Sequence, residues 1–76
     1  MEKIWVVELQ DEEGFWFPAN MVHMDRAVAA FDNYYTAHRC RKVLYYQLKS
    51  QSPKTWFWKN FRVRPWYKEG NLYGYR

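Results

Sequence analysis

Alternation of apolar and polar positions is clearest at the start of the chain. In "KIWVVELQ" (3–10), Trp5, Val7 and Leu9 point to one side and Ile4 and Val6 to the other, which predicts a β-strand with apolar residues on both faces. "DEEG" (11–14) has the composition of a tight turn, with Gly14 able to take a positive φ. "FWFPANMV" (15–22) then returns as the second strand of a hairpin. Pro18 offers no N–H to a ladder, so this strand belongs at a sheet edge or carries a bulge.

The period then changes. Asp25 is a suitable N-cap for a helix through "RAVAAFDNYYTAHR", with Ala27, Val28, Phe31, Tyr34 or Tyr35, and His38 as its apolar stripe. The run "HRCRK" (38–42) breaks that stripe and predicts a helix end near Arg39 or Cys40. "KVLYYQLK" (42–49) reads as a third strand, with Leu44, Tyr46 and Leu48 inward and Val43, Tyr45 and Gln47 outward. "TWFWKNFRVR" (55–64) reads as a fourth, with Phe57, Phe61 and Val63 on the core side. Trp56, Trp58, Asn60, Arg62 and Arg64 then share its other side, and Pro65 ends it. Two alternatives stay open. No Pro or Gly lies between Asp25 and Gln51, so a single long helix fits there, and Ser52 with Pro53 has the chemistry to start a short one.

These elements define an α+β fold: a small antiparallel sheet with one helix packed on one face, in the order ββαββ. One domain over 1–66 accounts for the patterned sequence, and 67–76, with two glycines and no period, reads as a C-terminal tail. One helix covers only one face of a sheet. The opposite face therefore keeps apolar and aromatic residues exposed, and large exposed apolar patches mark interaction sites.

Composition reinforces this expectation. A 76-residue chain buries only about 60% of its unfolded surface. Five tryptophans, seven tyrosines and five phenylalanines exceed what so small a core encloses. The net charge of +4 is unevenly spread. Residues 1–38 hold seven acids and two bases, a balance of −5, whereas 39–76 hold ten bases against Glu69, a balance of +9. No acid occurs from Arg39 to Arg64, so either a basic face awaits an anionic partner or the two halves neutralise each other across the fold.

Enzymatic and metal chemistry find little support. His23 and His38 are the only histidines, and the "HRC" spacing of His38 and Cys40 is not a zinc pattern. A single Cys40 excludes an internal disulfide and reads as a small, half-buried side chain. No glycine-rich phosphate loop is present, so a non-enzyme without cofactor or metal is expected. Lacking a basic region followed by an apolar run at its start, and any apolar stretch near the roughly 18 residues of a membrane span, the chain reads as cytoplasmic with no membrane partner.

The strongest chemical signal is "KTWFWKNFRVRPWYK" (54–68), where tryptophans alternate with lysine and arginine and no acid intervenes. Aromatic and Arg side chains dominate protein hot spots, and they also stack bases and contact phosphates in single-strand readers. The expected partner-binding residues are Trp56, Trp58, Arg62, Arg64, Trp66 and Tyr67. The order "IWVVEL", "FWFPA", "DRAVAAF" and a late "FRVRP" resembles the short phage inhibitor of bacterial RNA polymerase from the T7 group. Its general build is also similar to that of anti-CRISPR and anti-restriction proteins. The resemblance implies a small inhibitor or adaptor that acts in the host bacterial cytoplasm, with Arg62 and Arg64 meeting an acidic host surface. Residues 42–54 and a longer basic tail depart from that pattern. Three partner classes follow: a host protein or nucleoprotein blocked sterically, a nucleic acid bound directly, or a second copy in a homo-oligomer.

Overall fold

The computed structural model describes residues 3–21, 27–69 and 72–74. Strand β1 (Lys3–Gln10) lies at the centre of an antiparallel sheet. One edge of it pairs with β6 (Phe61–Glu69) over seven positions, from Lys3↔Tyr67 to Leu9↔Phe61. Its other edge is shared by β2 (Trp16–Pro18) and β5 (Ala30–Phe31). Strand β7 (Leu72–Gly74) pairs with the end of β6. Among the described residues a single α-helix, α1 (Tyr34–Gln51), packs on one face, so the α+β class with one helix on a small antiparallel sheet holds.

The β1–β2 hairpin closes as its sequence requires. Gly14 adopts φ 93°, the left-handed region that residues with a Cβ avoid. Asp11 Oδ1 accepts hydrogen bonds from the backbone N–H of Glu13 and of Phe15, both at 2.9 Å. After Pro18 the ladder breaks at Ala19, and the chain leaves the sheet as β3 (Asn20–Met21), paired to β4 (Ala27–Val28). The edge position and the break fit the limits that Pro18 imposes. Ala19 and Ala29 are buried at the point of departure. There, Ala19 N–H donates to Val7 O, Ala29 N–H to Ala19 O and Val7 N–H to Ala29 O, all within 3.0 Å. A larger side chain at either alanine would have to displace the core beside it.

The helix lies further along the chain than its sequence pattern predicts. Ala27–Val28 and Ala30–Phe31 are extended, and the proposed cap Asp25 lies outside the described residues. The cap is Asn33, whose Oδ1 accepts from the Thr36 N–H at 2.8 Å and from its hydroxyl at 2.9 Å. From there the helix continues through 42–49, which is not a strand. Ala37, Cys40, Leu44 and Leu48 repeat every three or four residues and face the sheet, and this longer period outweighs the β-propensity of "VLYY". Tyr45 packs inward against Phe61 and Tyr46 points out, the reverse of the strand expectation. The Ser52 N–H closes on Leu48 O at 2.9 Å, and Pro53 stops the helix.

Two corrections concern the C-terminal third. Residues 55–60 form turns and a short 3₁₀ segment (Trp58–Asn60), so the fourth strand starts at Phe61 and not at Thr55. It also runs through Pro65 to Glu69: among the described residues β7 pairs with Tyr67–Glu69, and no strand lies beside Pro65 on that side. The described part of 67–76 is thus strand and not tail.

The core between helix and sheet consists of Val7, Leu9, Ala19, Ala29, Ala37, Cys40, Leu44 and Phe61. Trp5, Phe31, Tyr45, Leu48, Trp56 and Val63 pack around them.

Candidate binding face

Strand alternation sends Ile4, Val6 and Glu8 of β1 and Arg62, Arg64 and Trp66 of β6 to the face opposite α1. Register adds Trp16 and Pro18 from β2, opposite Gln10 and Glu8. Among the described residues no helix lies over this face, yet Val6 is fully buried and Glu8 only 4% exposed. Arg62, Arg64 and Trp66 of the neighbouring strand reach across over Glu8, which guanidinium stems do readily.

Glu8 organises this layer. Its Oε1 accepts from Arg62 Nε at 2.6 Å and lies 3.7 Å from Arg64 Nε. Its Oε2 accepts from the indole Nε1–H of Trp66 at 3.2 Å. The Arg62 guanidinium sits 3.9 Å above the Trp16 ring, so it is fixed by a carboxylate and a π-face together. Two guanidinium groups share one carboxylate. The face therefore presents two arginines, tied together by Glu8 and flanked by two indoles. Across Glu8, the acidic and basic halves of the chain neutralise each other in part.

Of the six residues expected to bind a partner, the structure gathers Arg62, Arg64 and Trp66. The other three lie elsewhere. Trp56 packs on Phe61 at the core margin (centroids 5.6 Å apart). Trp58 joins the helix, edge-on to Tyr45 and His38 and 3.9 Å beneath the Arg41 guanidinium. Tyr67 falls on the opposite parity of β6 from Trp66. The reason is local: the 3₁₀ turn interrupts the alternation that would have aligned Trp56 and Trp58 with Arg62. Sequence reasoning missed Glu8 and Trp16. A lone acid between Val7 and Leu9 on an apolar strand was the available signal for Glu8, and the hairpin period that aligns Trp16 with Pro18 was the signal for the indole.

The remaining chemistry is structural. Tyr34 stacks on His38 (centroids 5.9 Å apart) and meets Trp5 edge-on, so the helix's first turns join an aromatic row. Arg41 donates to Phe61 O at 2.6 Å, and its burial lowers its pKa from the usual value. Among the described residues no group of three or more His, Cys, Asp or Glu is placed to hold a metal ion, and His23 lies outside them. No helix among them is long and apolar enough to cross a membrane.

Burial pushes the Cys40 thiol pKa up, which keeps it protonated and unreactive near neutrality. Ellman's reagent at pH 7.5 should therefore label the native protein at least tenfold more slowly than the urea-unfolded chain. Equal rates would mean that the thiol is open to solvent.

Comparison with protein-family models, curated proteins and solved structures finds no match for this chain.

Proposed function

We propose that this chain is a small non-enzymatic binding protein that docks through the helix-free face of its sheet onto an acidic surface of a protein or nucleoprotein, and blocks it sterically. The observation that carries this reading is the Arg62–Glu8–Arg64 cluster between Trp16 and Trp66. Hot spots are enriched in Trp and Arg, and side chains already fixed before binding lose less entropy when a partner arrives. The resemblance to phage proteins that disarm a host makes a bacterial host factor the natural partner. It contributes no residue role beyond Arg62 and Arg64.

The test is capture from nuclease-treated bacterial lysate with mass spectrometry, comparing wild type with Arg64→Gln and Lys42→Gln. Wild type and Lys42→Gln should retain one acidic protein stoichiometrically, and Arg64→Gln should weaken its capture about tenfold. Retention of nothing, or equal retention by all three, would sink the reading.

A second reading, direct nucleic-acid binding, is favoured by a different surface. Helix α1 contains no acid, and its outer side exposes Tyr35 (79%), Arg39, Lys42 and Tyr46 (66%). Aromatic rings between bases are suited to stacking and phosphate contact. This reading expects an oligonucleotide affinity that falls steeply with salt and is lost in Lys42→Gln rather than in Arg64→Gln.

A further inference from the structure

At the hairpin end of the sheet, Gln10, Asp11, Glu12, Phe17, Thr55, Trp56 and Asn60 line an open cleft of about 230 Å³. Its chemistry is the inverse of the basic face. The aromatic walls are Phe17 and Trp56, and the carboxylates are those of Asp11 and Glu12. The amides are already committed to one another. Gln10 Nε2 donates to Gly14 O at 3.1 Å, Asn60 Oδ1 accepts from Phe57 N–H at 3.1 Å, and Asn60 Nδ2 reaches Gln10 Oε1 at 3.4 Å. Asp11 Oδ1 is occupied by the two turn N–H groups. What the cleft offers a guest is π-surface and negative charge.

This molecule uses that combination for its own Arg62, and a related one, with a backbone carbonyl in place of the carboxylate, for Arg41. Arg62 lies 3.9 Å above Trp16 with Glu8 Oε1 at 2.6 Å, and Arg41 lies 3.9 Å above Trp58 with Phe61 O at 2.6 Å. Each is a guanidinium stacked on an indole and hydrogen-bonded to an oxygen. Among the described residues no cation of the chain lies over Trp56 or Phe17, although Glu12 and Asp11 stand beside them. We infer that the cleft is a recognition site for an arginine side chain of a separate polypeptide partner, seated on Trp56 and Phe17 and paired with Glu12. A planar guanidinium satisfies both requirements at once, since it stacks on aromatic faces and pairs with a carboxylate through fixed donors. An ammonium supplies charge without the plane, so lysine binds less well. The inference is independent of the proposed role of the basic face.

The experiment uses N-acetyl-arginine amide as probe, with the lysine and glutamine analogues as comparisons. The indole N–H resonance of Trp56 is followed by NMR, with Trp5 as internal reference. The Trp56 signal should move saturably at millimolar arginine probe, less with the lysine analogue and not with glutamine. Glu12→Gln, a change at an exposed turn position, should weaken the arginine response about threefold. Arg64→Gln should leave it unchanged, which separates this site from the basic face. No movement, equal movement with glutamine, or an unaltered response in Glu12→Gln would overturn the assignment. So would a Trp56 signal that moves with protein concentration alone, because the occupant would then be a second copy.

Discussion

Glu8→Ala is expected to lower the unfolding free energy by about 3 kcal/mol, read as a fall in the urea midpoint with an unchanged slope. The carboxylate is 6% exposed; Arg62 Nε and Trp66 Nε1–H donate to it, and Arg64 Nε lies within ion-pair distance at 3.7 Å. Removing it leaves the Arg62 guanidinium without its carboxylate partner, and an indole N–H without its acceptor. The figure sits at the low end for a broken buried pair because solvent still reaches Arg62 and Arg64. Glu8→Gln keeps an acceptor for Trp66 and should fall between wild type and Glu8→Ala. A Glu8→Leu, Arg62→Leu double variant removes both charges and should recover much of the stability while losing the basic face. A Glu8→Ala variant within 1 kcal/mol of wild type would show that the carboxylate does not organise this layer.

Phe61→Ala should cost more, about 4 kcal/mol. Phe61 is 1% exposed and lies where β6 begins, in edge-to-face contact with Tyr45 of the helix and in tilted contact with Trp56 of the preceding turn. It is the largest fully buried side chain and joins sheet, helix and 3₁₀ turn in one contact set. Because the chain is short, a loss of this size consumes much of its stability. Thermal unfolding should lose its cooperative transition or move far below that of wild type. Phe61→Leu should retain most of it, and a Phe61→Ala transition within a few degrees of wild type would contradict this account of the core.

What the sequence made readable follows from which signals were local. The alternation of β1, the "DEEG" turn and the edge character of Pro18 each depend on a few adjacent residues, and each holds in the structure. Assigning Phe61 and Val63 to the core and Arg62 and Arg64 to the other face also holds, since one strand carries all four. Phe57, expected beside them, instead precedes the strand and is 46% exposed. Non-local features were hidden. Helix placement turned on Ala37, Cys40, Leu44 and Leu48 meeting the sheet, which local aromatic and β-branched crowding in "VLYY" obscured. The strands at Ala27–Val28 and Ala30–Phe31 exist through pairing with Asn20–Met21 and Trp5–Val6, and nothing in "RAVAAF" encodes those partners. At the candidate site, the aromatic and basic content of 54–68 was plain, but its division between two faces was not. That division depends on where the 3₁₀ turn ends and β6 starts. Glu8 stood out as a lone acid on an apolar strand, but its partner became visible only once the register placed it opposite Arg62.

Pro65 has a further consequence. From Phe61 to Trp66, the edge of β6 away from β1 pairs with no strand among the described residues. An edge of that length, in a chain so rich in aromatic residues, is a template on which another chain can polymerise. Proline within it breaks the row of donors that a newcomer would need, and Arg62 and Arg64, which precede it on the same strand, add positive charge beside that edge. The residue that its sequence context marks as a strand terminator instead interrupts the donor row of the same strand that carries Arg62 and Arg64.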